Sequence, residues 1–358
     1  MTQSNRTTSS TIKPSRLVRI DMMVGMAMIL VVLGHMSVGN EPYWYSHGLH
    51  NWIYSFHMEL FLFLSAFLIR YSFKGVSSAA DYGKYIWRKF KKFFLWFIIV
   101  GLAVDIISRL VSGNELSLSV VANSLYRLLI YPAFSEASFL WYIYILFGYY
   151  IISPLFIKLP QLVKTLLCVA SLFLAMVPGN PFLASNCFCQ YTFFYCLGIL
   201  CAEWIDEIRG AKTWLWALMS VPFIVFSVWV FSDGMEIGFE YPQLGWWTIV
   251  TGSAAIPFFY LLAILFEKTE YISKALTFVS VDCYWIYLLQ MFIIWGCLYA
   301  VSHTSLRDGA PFWLFITITT ILAVVLPILL AETFKKLKNK EKKAGLPSER
   351  PAKNTSLK

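Results

Sequence analysis

Ten apolar runs, each of about 17–25 residues and set apart by polar or charged breaks, constrain this chain more than any other feature. They lie near 20–39, 52–72, 89–111, 138–157, 163–178, 188–204, 212–232, 246–266, 277–301 and 312–334. A run of that length crosses a hydrocarbon core of about 30 Å once as a helix. In lipid only helices and closed barrels satisfy their own backbone polar groups. The expectation is therefore an all-α, polytopic transmembrane helix bundle of about ten spans. A soluble domain is excluded by composition, with 58% of the 358 residues hydrophobic, 14% charged and a mean hydropathy of +0.64.

Short connections without a long polar insert predict one integral domain over residues 20–334. Residues 1–19 and 335–358 are polar and basic, and are expected to be disordered tails. The first run needs no cleaved signal peptide to explain it, and no internal repeat of the inverted-transporter kind is visible. If the N-terminus is cytoplasmic, 26 of the 29 Lys and Arg fall on cytoplasmic segments or helix ends. Only Arg109, Arg127 and Arg307 fall opposite, an asymmetry that predicts cytoplasmic N- and C-termini in a multi-pass protein of the cell membrane. The net charge of +9 then reflects topology and contact with anionic membrane lipids, not nucleic acid. The cysteines show no metal-site spacing, and Cys187 and Cys189 are too close in sequence for an easy mutual disulfide.

Within this apolar background the ionisable residues carry the chemistry. Asp21 and His35 bracket the first run; on a helix they are roughly 21 Å apart along the axis and within about 40° around it. They share a face, which looks into the protein or a water-filled cavity, because lipid would leave both groups unpaired. A histidine simply hydrogen-bonded in a packed bundle satisfies the same pattern. In the second run, His57 enters about as far as His35 leaves, so the two can meet, and Glu59 follows in an otherwise apolar stretch. The alternative places His57 and Glu59 at the interface, orienting a loop.

The two runs together resemble the N-terminal signature of acyltransferase family 3, integral-membrane O-acyltransferases that modify cell-surface polysaccharides. The family's Asp, Gly, Val-Val-x-x-His block is matched by Asp21, Gly25, Val31, Val32 and His35, and its Phe-His-Met block by Phe56, His57 and Met58. Leu64-Ser65-Ala66-Phe67-Leu68-Ile69, Leu140-Trp141-Tyr142-Ile143 and Phe194-Tyr195-Cys196-Leu197-Gly198 resemble later blocks. The basic segment Tyr85–Lys92 falls at the family's Arg/Lys-rich cytoplasmic stretch. Three positions depart from the pattern: Val24 stands where the family has Arg or Lys, Glu59 where it has Pro, and Gln290 where it has a late His.

The resemblance implies transfer of an acyl group, most often acetyl, from acetyl-CoA or another acyl-CoA to a hydroxyl of a glycan or lipid-linked saccharide on the outer face. His35 is the candidate base, with His57, Glu59 and Asp21 as the other candidate catalytic residues; Glu59 is expected to orient a ring and stabilise its charge. Arg88, Lys89, Lys91 and Lys92, together with Arg19 and Arg70, are the candidate cations for the donor's phosphates, and equally explicable as stop-transfer charge. A second class is an exporter of a glycan or solute, to which the buried His and Glu and the Asp105/Arg109 pair would also be suited. A third is a family member without catalysis.

Overall fold

The computed structural model describes residues 17–36, 44–177, 180–233, 246–302 and 312–344, and among these every regular element is helical. The described helices are α1 (Val18–Gly34), α2 (Asn51–Tyr54), α3 (His57–Tyr71), α4 (Ala79–Lys89), α5 (Leu95–Val111), α6 (Leu118–Ile130), α7 (Trp141–Ile157) and α8 (Gln161–Leu174). They continue as α9 (Ser185–Glu203), α10 (Ile205–Gly210), α11 (Thr213–Asp233), α12 (Trp246–Phe266), α13 (Glu270–Val281), α14 (Cys283–Ser302) and α15 (Phe312–Ala344). π-helical turns Trp44–His50 and Phe90–Phe94 lead into α2 and join α4 to α5. The protein is an all-α polytopic bundle.

Among the described residues eight helices are long and apolar enough to cross a membrane, and they coincide with eight of the ten apolar runs. The runs near 20–39 and 163–178 form shorter helices, α1 of 17 residues and α8 of 14. The run near 277–301 is not one helix: it breaks at Asp282 between α13 and α14. α6 lies outside every run. It is an amphipathic helix capped by the Ser117 hydroxyl and tied down by Arg127, which donates to the Phe134 carbonyl at 2.6 Å.

The chain forms two compact units that divide after Val281. In the first, α3 and α9 make the largest helix–helix contact, and α1 lies against α13, α3 and α12. Two glycines permit these approaches. A Cβ at Gly25 would run into the Leu276 carbonyl of α13, and one at Gly198 into the Phe63 carbonyl of α3. Side chains that interdigitate in this core include Met22, Met23, Met28, Phe67, Phe97, Tyr149, Phe194 and Tyr195, each less than 2% exposed. In the second unit α14 and α15 pack together, fixed at one end by Lys335, which reaches Asp282 at 2.7 Å and Glu332 at 2.9 Å. Gln290 is buried in that unit, with neither amide atom partnered among the described residues.

Candidate active site

The site is built where α1 ends and α3 begins. α1 stops at Gly34, with His35 as its C-cap, and Gly34 lies against Ile53 and Tyr54 so closely that a Cβ would sit 3.2 and 3.1 Å from their side chains. Between α2 and α3 the helix breaks at Ser55 and Phe56, where Phe56 leaves helical geometry at φ −154°, ψ −15°. A break in an apolar helix leaves carbonyls that water cannot reach and that must find other donors. Two are found. Thr251 of α12 donates its hydroxyl to the Ser55 carbonyl at 2.7 Å, and the His57 ring places Nδ1 2.9 Å from the Ile53 carbonyl.

The second of these contacts sets the state of the ring. A carbonyl only accepts, so Nδ1 of His57 carries the proton and Nε2 of the neutral ring keeps its lone pair. Tyr54 packs against His57 at 4.8 Å between ring centroids and stacks on His50 at 4.0 Å. His35 and His50 both lie close enough for their charges to act on His57. The structure thus brings His35 and His57 together, as the order of the first two runs implied. It adds His50 and Tyr54, which have no place in the family motif and could be found only from their spacing of two helical turns and one from His57. The His35 ring is half-buried and makes no hydrogen bond to a described residue.

The other two candidates lie elsewhere. Glu59 is 2% exposed, but it follows His57 by two residues and so points to another side of α3, where its Cβ and Cγ lie against Gly252 of α12. It forms no ion pair with either histidine. The His57 ring is held by the Ile53 carbonyl. Asp21 sits in the first turn of α1, at the far end of that helix from His35. The Asp105/Arg109 pair is a structural tie: Arg109 meets Asp105 at 2.8 Å, and Ser124 of α6 donates to the same carboxylate at 2.5 Å.

The six candidate cations form three separate groups. Arg70 pairs with Glu203 at 2.8 Å, and Lys164 binds the same carboxylate, so this cluster joins α3, α8 and α9. Lys89 stands 3.9 Å from the Tyr150 ring centroid, with Tyr85 and Phe93 around it, while Lys91 and Lys92 lie over Trp87 and Phe93. Arg88 is exposed beside them. Arg19 donates to Glu267 at 2.7 Å and lies over Tyr260. There a cleft of about 260 Å³ opens, lined by Arg19, Ile20, Ile205, Arg209, Tyr260 and Glu267. Arg209 and Tyr260 were not singled out from the sequence, since nothing local marks either one.

A polytopic helical bundle with two neighbouring histidines at one end of its first helix and cations at the other is an integral-membrane protein built around an intramembrane polar site. Residues 17–332 match the acyltransferase domain model of acyltransferase family 3, and the chain belongs to that family. It is a multi-pass membrane acyltransferase. No curated protein and no solved structure is found to match it.

Proposed function

We propose that this acyltransferase moves an acyl group, acetyl in the simplest case, from acyl-CoA to a hydroxyl of an extracytoplasmic or cell-surface glycan, free or lipid-linked, in the cell membrane. The observation that supports this reading is the histidine pair: a His57 ring held by the Ile53 carbonyl with Nε2 unprotonated, beside a His35 ring that makes no hydrogen bond to a described residue. A sugar hydroxyl is a poor nucleophile near neutral pH and needs a base at the moment it attacks. His35 takes that proton, an effect typically of ~10²–10⁴-fold. Through Nε2, His57 accepts a hydrogen bond from the acceptor and so holds its orientation.

The thioester of the donor supplies the activated acyl carbon. Its phosphates are anionic and call for cations at the other end of α1, for which Arg19, Arg70, Arg88, Lys89, Lys91 and Lys92 are the available residues. Val24, the position of the family's cation, is 5% exposed and apolar, so it contributes none of this charge. With the basic ends cytoplasmic, a cysteine placed at Asn114 reacts with an impermeant reagent in intact cells and one placed at Gly75 does not. The reverse pattern would overturn the sidedness. The function itself is tested by incubating membranes with labelled acetyl-CoA and measuring glycan O-acetylation with and without the gene. Equal label in both refutes the acceptor assignment.

A further inference from the structure

The cleft at the start of α1 has features that packing alone does not account for. Its wall carries two guanidinium groups, Arg19 from α1 and Arg209 from α10. Arg19 is partly neutralised, since one of its five N–H donors goes to Glu267. Arg209 is exposed and makes no ion pair among the described residues. Tyr260 of α12, which also lines the cleft, is only 4% exposed; the Arg19 guanidinium lies near its hydroxyl, but among the described residues the hydroxyl has no well-formed hydrogen bond and its proton no acceptor. A buried hydroxyl left unmet is destabilising, so such a group invites a ligand atom that it can bond. Two guanidiniums against one carboxylate leave the cleft net positive, and the missing atom is accordingly an anionic oxygen.

We infer that this cleft is a phosphate site, formed by Arg209, Arg19 and Tyr260, and that on the acyltransferase reading, on which this inference rests, the phosphate belongs to the acyl-CoA donor. Arg offers a planar pair of donors to two phosphate oxygens, and Tyr260 gives its hydroxyl proton to a third. Glu267 holds Arg19 in place and keeps the cleft from binding anions indiscriminately. Arg19 and His35 are the two ends of one helix, sixteen residues or roughly 24 Å apart. That separation is of the order of an extended phosphopantetheine arm. A donor anchored here therefore has the reach to bring its thioester towards the histidines. The cleft also supplies the charge that Val24 does not.

Phosphate chemistry has a second source, the headgroup of an anionic phospholipid, and the test separates the two. The full chain is reconstituted in discs of neutral phosphatidylcholine, and binding of CoA and of phosphate-free pantetheine is measured by titration calorimetry. Wild type, Arg209→Ala, Arg209→Lys and Tyr260→Phe are compared. Arg209 is exposed and Tyr260→Phe is isosteric, so all three variants should fold. Arg209→Ala is expected to weaken CoA binding about tenfold or more and Tyr260→Phe about threefold, the losses typical of one charged and one neutral hydrogen bond. Arg209→Lys should recover part of the loss, and pantetheine binding should not change. In a second arm, retention of phosphatidylglycerol is followed by native mass spectrometry. Loss of retained lipid in Arg209→Ala with CoA binding intact overturns the donor assignment and gives the site to a headgroup. Unchanged binding in both arms overturns the phosphate site altogether. Acyl transfer by the wild-type protein in the same discs stands apart from either result, so a failure here is distinguishable from a failure of the acyltransferase reading.

Discussion

The two ends of α1 solve opposite problems. At the Arg19 end, charges are plentiful and several are paired: Arg19 with Glu267, Arg70 and Lys164 with Glu203. At the His35 end, His35, His50, Tyr54 and His57 come together, and the His57 ring is fixed by a backbone carbonyl, not by a carboxylate. A carboxylate would favour the protonated, positive ring, whereas a carbonyl orients the neutral one without adding charge. The first end holds the bundle together and carries charge. The second holds an imidazole by a contact that adds no charge.

The sharpest way to break this contrast is at His35. His35→Ala should lower acyl transfer by about 100-fold or more while membrane abundance stays near normal. Activity above about a tenth of wild type would remove His35 as the base, and a larger loss in His57→Ala than in His35→Ala would exchange their roles. At the opposite end the expected effect is on stability. Glu203→Ala leaves Arg70 and the buried Lys164 without their common partner and should cost about 3 kcal/mol, read as a fall in the thermal midpoint in detergent, with Glu203→Gln milder. Val24→Arg would place an extra cation on the buried face between the two ends, at about 2.5–3.5 kcal/mol on insertion scales, and should reduce membrane yield or activity. If it raised acyl transfer, the site would be short of charge and the protein a repurposed member of its family. Gly25→Ala should cost about 1–3 kcal/mol by forcing α13 off α1, visible in the same melting measurement. Glu59→Gln should be the mildest, less than about tenfold in activity, because its Cβ and Cγ pack against Gly252 and it forms no ion pair with His35 or His57.

What could be read from the chain alone follows the range of the interactions concerned. Apolar runs are local, and most helices in the structure lie where those runs are. The meeting of His35 and His57 was also legible, since consecutive antiparallel spans return to the same depth. α6 was not, because an amphipathic helix with Arg127 at its end has no long apolar run to announce it. The break at Asp282 was hidden too, as one acidic residue within an apolar stretch resembles an ordinary interruption. Arg19 and Glu267 are 248 residues apart, and Arg70 and Glu203 are 133 apart. No spacing rule couples positions that distant. The setting of Glu59 was not legible either, since its neighbour Gly252 is nearly two hundred residues away in the chain and two residues along a helix turn its side chain well away from His57.

The helical stretch Ala79–Val111, with its π-helical turn and its lysines seated on aromatic rings, runs for 33 residues, close to 50 Å at 1.5 Å per residue. A hydrocarbon core of about 30 Å can hold only some three-fifths of it, so about a dozen residues must emerge. Counted from Val111, the emerging part begins near Lys92 and carries Arg88, Lys89 and Lys91, which places those cations at the level of lipid phosphates. The rings under Lys89, Lys91 and Lys92 hold these lysines from the protein side. This helix is therefore a gauge of bilayer thickness. In a thicker membrane it must stand more upright or draw its collar of charge inward, and because α4 and the π turn pack on α7, that adjustment would be passed to the bundle.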